Sequence, residues 1–248
     1  MSDVFGTYSK IIAAHTVHTD DAHGTIVYID RHILHPGISA QAFDGLRLAH
    51  REVRRPEATY APHADAAVGD PVQAKLLDTL DANAHEYHTA RFEPGDLQDG
   101  LIQPGMTVAG HRNDVARFGG IGAVCFFNSV SCCEHILATQ TLRLTLPPVL
   151  NVRIPAEEDL KKPEQIVAHL VTTHGMPVLR THALHLYGDG ISAIDIHTRM
   201  MTAEKIAVVA PHGAVLAIDD HTIEWLKGYT HAPSGRDWPM ACQYWENL

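Results

Sequence analysis

Histidine accounts for 19 of the 248 residues, about one in thirteen. Neutral imidazole is the commonest metal ligand, and it changes charge near neutral pH. Four pairs stand three residues apart: His15/His18, His32/His35, His85/His88 and His182/His185. On a helix such a pair shares a face and can hold a metal; on a strand it points to opposite sides. Surface placement is the ordinary fate of most of these residues. The chain has only four cysteines, too few for a disulfide scaffold, which suits reduced thiols in a cytoplasmic setting.

The rest of the composition narrows the function classes. With 19 basic and 29 acidic side chains the net charge is −10, against the basic face that nucleic acid requires. A hydrophobic fraction of 45% with 19% charged residues is that of a folded globular chain. Every apolar run is broken well short of the roughly 20 residues of a membrane helix. Residues Met1 to Lys10 lack the basic start and apolar core of a signal peptide.

The elements that must position any chemistry alternate in type. Residues 25–29 (TIVYI) predict a buried strand, and 40–50 a helix capped by Ser39. Residues 72–85 predict a second helix after Pro71. A loop-rich stretch over 92–105 precedes a strand at 106–109. Gly119, Gly120 and Gly122 imply close backbone approaches. Further expected elements are a helix over 131–142, a strand over 149–154, a helix over 163–172, and short apolar runs at 207–210 and 214–218. Helices at 221–227 and 238–245 follow. Strands alternating with helices predict an α/β domain with a mostly parallel sheet. We read residues 1–248 as one unit with a sub-boundary near 147–163, where Pro147-Pro148 breaks the chain.

Several blocks resemble the large subunit of 3-isopropylmalate dehydratase, in the aconitase superfamily. They are GTIVYIDRHILHPGISAQAFDGLR (24–47), QPGMTV (103–108), EHILATQTL (134–142), GYTHAPSGRD (228–237) and the closing Tyr244-Trp245. They keep the family order and span nearly the whole chain. The resemblance implies a three-layer α/β/α fold and hydro-lyase or isomerase chemistry on a carboxylate-bearing molecule. It also implies a [4Fe–4S] cluster held by three thiolates. The family's cluster cysteines lie in a C-terminal part not present here, and Cys125, Cys132 and Cys133 fall elsewhere. No iron–sulfur cluster is therefore expected.

Aligned on the family motifs, other catalytic positions are changed. The family's Asp-Ser-His falls on Arg112, Asn113 and Asp114, with His111 one residue away. Its Asp-His pair falls on Ala64-Asp65 beside His63, and its catalytic Glu on His185. Asp30-Arg31-His32 and His35 are kept, although Pro36 replaces the Glu that the family pairs with that histidine. The resemblance places these positions in one cleft. The expected catalytic set is thus His35, His63, Asp65, His111 and His185, with Arg112, Asp114 and His32 binding substrate. His35, His111 and His185 form the expected set for a divalent metal, Fe or Zn. Metal-free acid–base chemistry is the alternative within catalysis. The other reading is a non-catalytic aconitase-like partner. The aromatic residues near the C-terminus, Trp225, Tyr229, Trp238, Tyr244 and Trp245, are expected in the core or at an interface. A homodimer, or another protein covering the cleft, is expected.

Overall fold

A computed structural model describes residues 6–20, 22–63, 71–93, 95–157 and 160–248. The chain opens with helix α1 (Thr7–His15), strands β1 (Thr16–Asp20), β2 (Gly24–Tyr28) and β3 (Arg31–Ile33), and helix α2 (Pro36–Leu48). Strand β4 (Thr59–Pro62), helix α3 (Pro71–Glu86) and strand β5 (Ala90–Phe92) follow. Then come β6 (Thr107–Gly110), the short α4 (Arg112–Val115), a tight turn over 116–121, β7 (Val124–Phe127), α5 (Val130–Thr139) and β8 (Thr141–Leu144). The last part holds β9 (Val149–Arg153), α6 (Pro163–His174), α7 (Met176–Thr181), β10 (Ala183–Tyr187), α8 (Asp189–Ser192), α9 (Ile196–Val209), β11 (Ala214–Leu216), α10 (Asp220–Leu226) and α11 (Asp237–Glu246).

Among the described residues the strands form three sheets. The largest is parallel throughout, in the order β5-β4-β3-β6-β7. Its first strand in the chain, β3, is central. The chain winds outward to β4 and β5 on one side, then returns to lay β6 and β7 on the other. The direction of winding therefore reverses between β3 and β6. A second parallel sheet has the order β11-β10-β9, and β1-β2-β8 form an antiparallel one.

Side-chain alternation on β3 feeds two cores on opposite faces of the large sheet. Leu34 joins Phe43, Leu46, Leu80, Cys133 and Leu137 beneath α2, α3 and α5. Ile33 joins Val108, Phe118, Ile121 and Met200 on the other face. The result is the three-layer α/β/α arrangement. The turn over 116–121 lies against α9 and β11, as the glycines there predict. A Cβ on Gly119 would fall 1.9 Å from the Ala214 carbonyl oxygen, and one on Gly120 would fall 2.5 Å from the Arg199 backbone. The second parallel sheet begins at Val149, within the proposed boundary of 147–163.

Two local expectations are corrected. Helix α2 starts at Pro36, and its N-cap is His35 rather than Ser39. Proline is favoured at the first helical position because the amide proton it lacks has no helical partner there. The predicted helix over 131–142 ends at Thr139, where left-handed Gln140 (φ 58°) turns the chain into β8. Gln140 is buried, and its Nε2 donates to the Ile29 carbonyl. The apolar run at 207–210 forms the end of α9 and its cap.

The C-terminus of α1 is tied to the foot of the large sheet by a half-buried ion pair. His15 Nδ1 lies 2.8 Å from the Ile11 carbonyl oxygen, and Nε2 lies 2.8 Å from Asp30 Oδ2. Both neighbours are acceptors, so the ring fits as an imidazolium. Burial opposes that charge, but the Asp30 bond, the Asp30 charge and the Ile11 carbonyl outweigh it and raise the His15 pKa. Burial likewise opposes the Asp30 charge, but His15 and the Thr107 amide outweigh it and lower the carboxyl pKa. The raised His15 pKa stabilises the fold below about pH 6.5, and that contribution disappears as pH rises through the folded value. The lowered Asp30 pKa acts from above about pH 3.9 and is lost as pH falls through its folded value. His15→Gln should therefore cost about 1–3 kcal/mol at pH 6, and less at pH 9, in urea titrations.

Candidate active site at the strand crossover

In open α/β sheets, ligands bind outside the carboxyl ends of the strands, where the winding reverses. Here that point lies between β3 and β6, which pair in parallel through Arg31–Val108 and His32–Ala109. The chain leaves β3 at Leu34-His35 and leaves β6 at His111. Each histidine is the N-cap of the helix that follows. The two rings meet, stacked with centroids 4.3 Å apart and planes 28° from parallel. Asp114, in the first turn of α4, joins them. One ring nitrogen from each histidine and one Asp114 carboxylate oxygen all lie within 4.8 Å of one another.

All three residues are half-buried. Burial raises the Asp114 pKa above the usual carboxylate range, partly offset by the charges of His35 and His111. Burial lowers the His35 pKa; Asp114 pulls it up and His111 pushes it down. The two pKa values thus move toward each other, so the group titrates as a unit rather than residue by residue. His111 Nδ1 is buried and has no partner among the described residues.

The caps orient His35. The Gly37 amide donates to His35 Nδ1 over 3.1 Å, and the His35 amide donates to Ser39 Oγ over 3.0 Å. Cys133 Sγ in turn lies 3.6 Å from Ser39 Oγ. With Nδ1 accepting, the neutral ring carries its proton on Nε2 as a donor.

The remaining predicted residues are placed as follows. His32 is fully buried in β3, with Nε2 3.0 Å from Asn128 Nδ2 and Nδ1 unpartnered among the described residues. Burial pushes its pKa down to about 3, so it stays neutral. His63 follows β4 and is exposed, 3.7 Å from Glu93 Oε1. Arg112 is exposed beside Asp114 in sequence. Asp65 lies outside the described residues.

His185 is a correction. It sits mid-strand in β10, in the other parallel sheet, with Nδ1 2.9 Å from Asn151 Oδ1 in β9. Its ring stacks on Tyr187, and Gly6 presses so close that a Cβ there would fall 2.4 Å from Nδ1. Burial lowers its pKa to about 4. It does not join His35 and His111; Asp114 takes the third position in that set. Sequence reasoning also missed Asn128 and Ser39 as supports. An Asn-Ser pair between a strand and a helix was the available signal for Asn128.

The cysteines do not fit an iron–sulfur cluster. Cys125 and Cys133 are buried in separate apolar cores, and burial pushes both thiols up to about 12, the opposite of a ligating thiolate. Cys125 donates to the Val115 carbonyl. Among the described residues the four cysteines form no cluster-binding group.

Residues 9–248 match the model of the family described as "Aconitase family (aconitate hydratase)". The chain belongs to the aconitase family. That match covers the crossover site and all three sheets. The aconitase fold thus holds, in this chain, two stacked histidines and a carboxylate where its winding reverses. The finer likeness to the 3-isopropylmalate dehydratase large subunit rests on the sequence blocks. No helix among the described residues is long and apolar enough to cross a membrane.

Proposed function

We propose that this aconitase-family chain is a lyase, isomerase or hydratase that works on a small carboxylate-bearing molecule without an iron–sulfur cluster. The observation that carries the proposal is the His35–His111–Asp114 group at the β3/β6 crossover. In a dehydration, a base takes the proton α to the substrate carboxylate, and an acid protonates the departing hydroxyl, leaving an alkene and water. His35, neutral with its proton on Nε2, can donate a hydrogen bond to the departing hydroxyl, and His111, as its imidazolium, can protonate it. Asp114, with its raised pKa, suits a base near neutral pH, and His111 beside it can share the proton. Arg112 is the nearest cation in sequence for a bidentate grip on the carboxylate.

A second reading has its own support. Two imidazoles and one carboxylate at this spacing also suit Fe(II) or Zn²⁺. The metal would act as a Lewis acid on the substrate oxygen. The ion would have to displace the Gly37 amide from His35 Nδ1, so that the ring proton could move there and free Nε2. The lost bond is worth about 1 kcal/mol, small beside a tight metal site.

Untagged protein, before and after chelation, should be assayed with a panel of hydroxy-acids for the absorbance of the unsaturated acid. The acid–base reading expects turnover that survives chelation and falls about 10²–10⁴-fold in His111→Ala. The metal reading expects stoichiometric metal and turnover lost on chelation. No turnover on any hydroxy-acid, or turnover untouched in His111→Ala, would overturn the proposal in favour of a non-catalytic partner. The exposed Met240 and Tyr244 of α11 support the companion proposal of a homodimer, which light scattering tests.

A further inference from the structure

The residue beside His111 on the next strand of the large sheet is Asn128. Strands β6 and β7 pair in parallel up to Gly110–Phe127, and the Asn128 amide then donates to the Gly110 carbonyl over 3.0 Å. Asn128 and His111 therefore leave the sheet side by side, with backbones about 5 Å apart. Pairing also fixes the face. His32 pairs with Ala109, and Ala109 pairs with Phe126. Alternate residues share a face, so His32, His111 and Asn128 stand on one side of the sheet. The Asn128 side chain reaches across β6, where Ala109 offers only a methyl group, and its Nδ2 donates to His32 Nε2 over 3.0 Å. That bond decides how the Asn128 side chain points. His32 is fully buried, and burial keeps it neutral with its pKa pushed down to about 3, so Nε2 accepts at any working pH. With Nδ2 tied to His32, Oδ1 is the free end. It has no hydrogen-bond partner among the described residues and is not sealed in the interior. An amide oxygen accepts and cannot donate. The crossover thus carries a fixed, neutral acceptor next to its titrating group.

Building on the function proposed above, we infer that Asn128 is a substrate-binding residue whose Oδ1 accepts from the hydroxyl of a hydroxy-acid. It selects the substrate class. An acid with a hydroxyl donor at that position pairs with Oδ1, and one with hydrogen or a keto oxygen there leaves Oδ1 unpaired. His32 acts through Asn128, as the residue that orients it.

Malate and succinate differ only in one hydroxyl, as do lactate and propionate, which makes them suitable probes. Titration calorimetry needs no turnover, so it tests Asn128 apart from the catalytic proposal. In the pair that binds more tightly, the hydroxy-acid should bind about five- to tenfold better than its deoxy partner, the worth of one hydrogen bond. Asn128→Leu should close that gap by weakening the hydroxy-acid alone. His32→Leu should narrow it, again with the deoxy acid unchanged, which general damage to the fold would not do. A gap that survives in a protein with no turnover on any hydroxy-acid would sink the catalytic proposal and support this inference. The inference is overturned if neither hydroxy-acid binds, if the deoxy acids match them, or if Asn128→Leu weakens both members of a pair alike.

Discussion

Asp114→Asn should remove turnover and, at neutral pH, make the protein more stable. Burial raises the Asp114 pKa above its ordinary value, so the fold disfavours the charged carboxylate. Below about pH 3.9 the carboxyl is protonated in both folded and unfolded chains, and no penalty exists. As pH rises through the folded pKa, the folded chain must carry a charge that the unfolded chain solvates better. The penalty is then fully present at pH 7. Asparagine keeps the shape and removes the charge, so the melting temperature should rise by a few degrees at pH 7. The gain should vanish as pH approaches 4. Catalysis should fall about 10²–10⁴-fold, because the amide cannot accept a proton. A side chain that the fold tolerates at a cost, and the reaction requires, is the signature of a working site. Loss of stability at pH 7 together with unchanged turnover would instead mark Asp114 as structural.

The largest stability effect should come from Arg199, a fully buried cation in α9. Its guanidinium donates to both Asp219 oxygens, over 2.9 and 2.7 Å, and Nε donates to the Ile194 carbonyl. Asp219 also caps α10 by accepting from the Thr222 amide. Burial pushes the Asp219 pKa up, but Arg199 outweighs it and the net shift is downward. Arg199→Met should cost about 3–5 kcal/mol, because it strands a partly buried carboxylate. At roughly 2–4 °C per kcal/mol, the melting temperature should fall by about 6–20 °C. Adding Asp219→Asn to Arg199→Met should recover part of the loss, since the stranded charge is then gone. Thermal melts of the two single variants and the double variant check this. A double variant no more stable than Arg199→Met would mean that packing, not charge, holds this contact.

Much of the architecture was legible in the sequence. The apolar, β-branched run at 25–29, the proline starts at Pro71 and Pro163, and the glycines at 119 and 120 act through local physics. A strand, a helix start or a close approach is written in a few adjacent side chains. The failures follow the same logic. The helix expected over 131–142 overran because Leu142 continues its apolar pattern, whereas left-handed Gln140 turns the chain into β8. Ser39 looked like the cap because its preference is local, but Pro36 three residues earlier set the helix start.

By itself, the sequence determined the family, the α/β alternation and the candidacy of His35, His111 and Asp114. It could not determine which candidates meet. His185 and His35 look equivalent on the page, yet strand pairing puts them in different sheets. His35 and His111 are 76 positions apart along the chain, and they stack because β3 and β6 are neighbours where the winding reverses. That adjacency is a property of strand order. Strand order is set by which faces bury together across the whole chain, and no local window of sequence contains it.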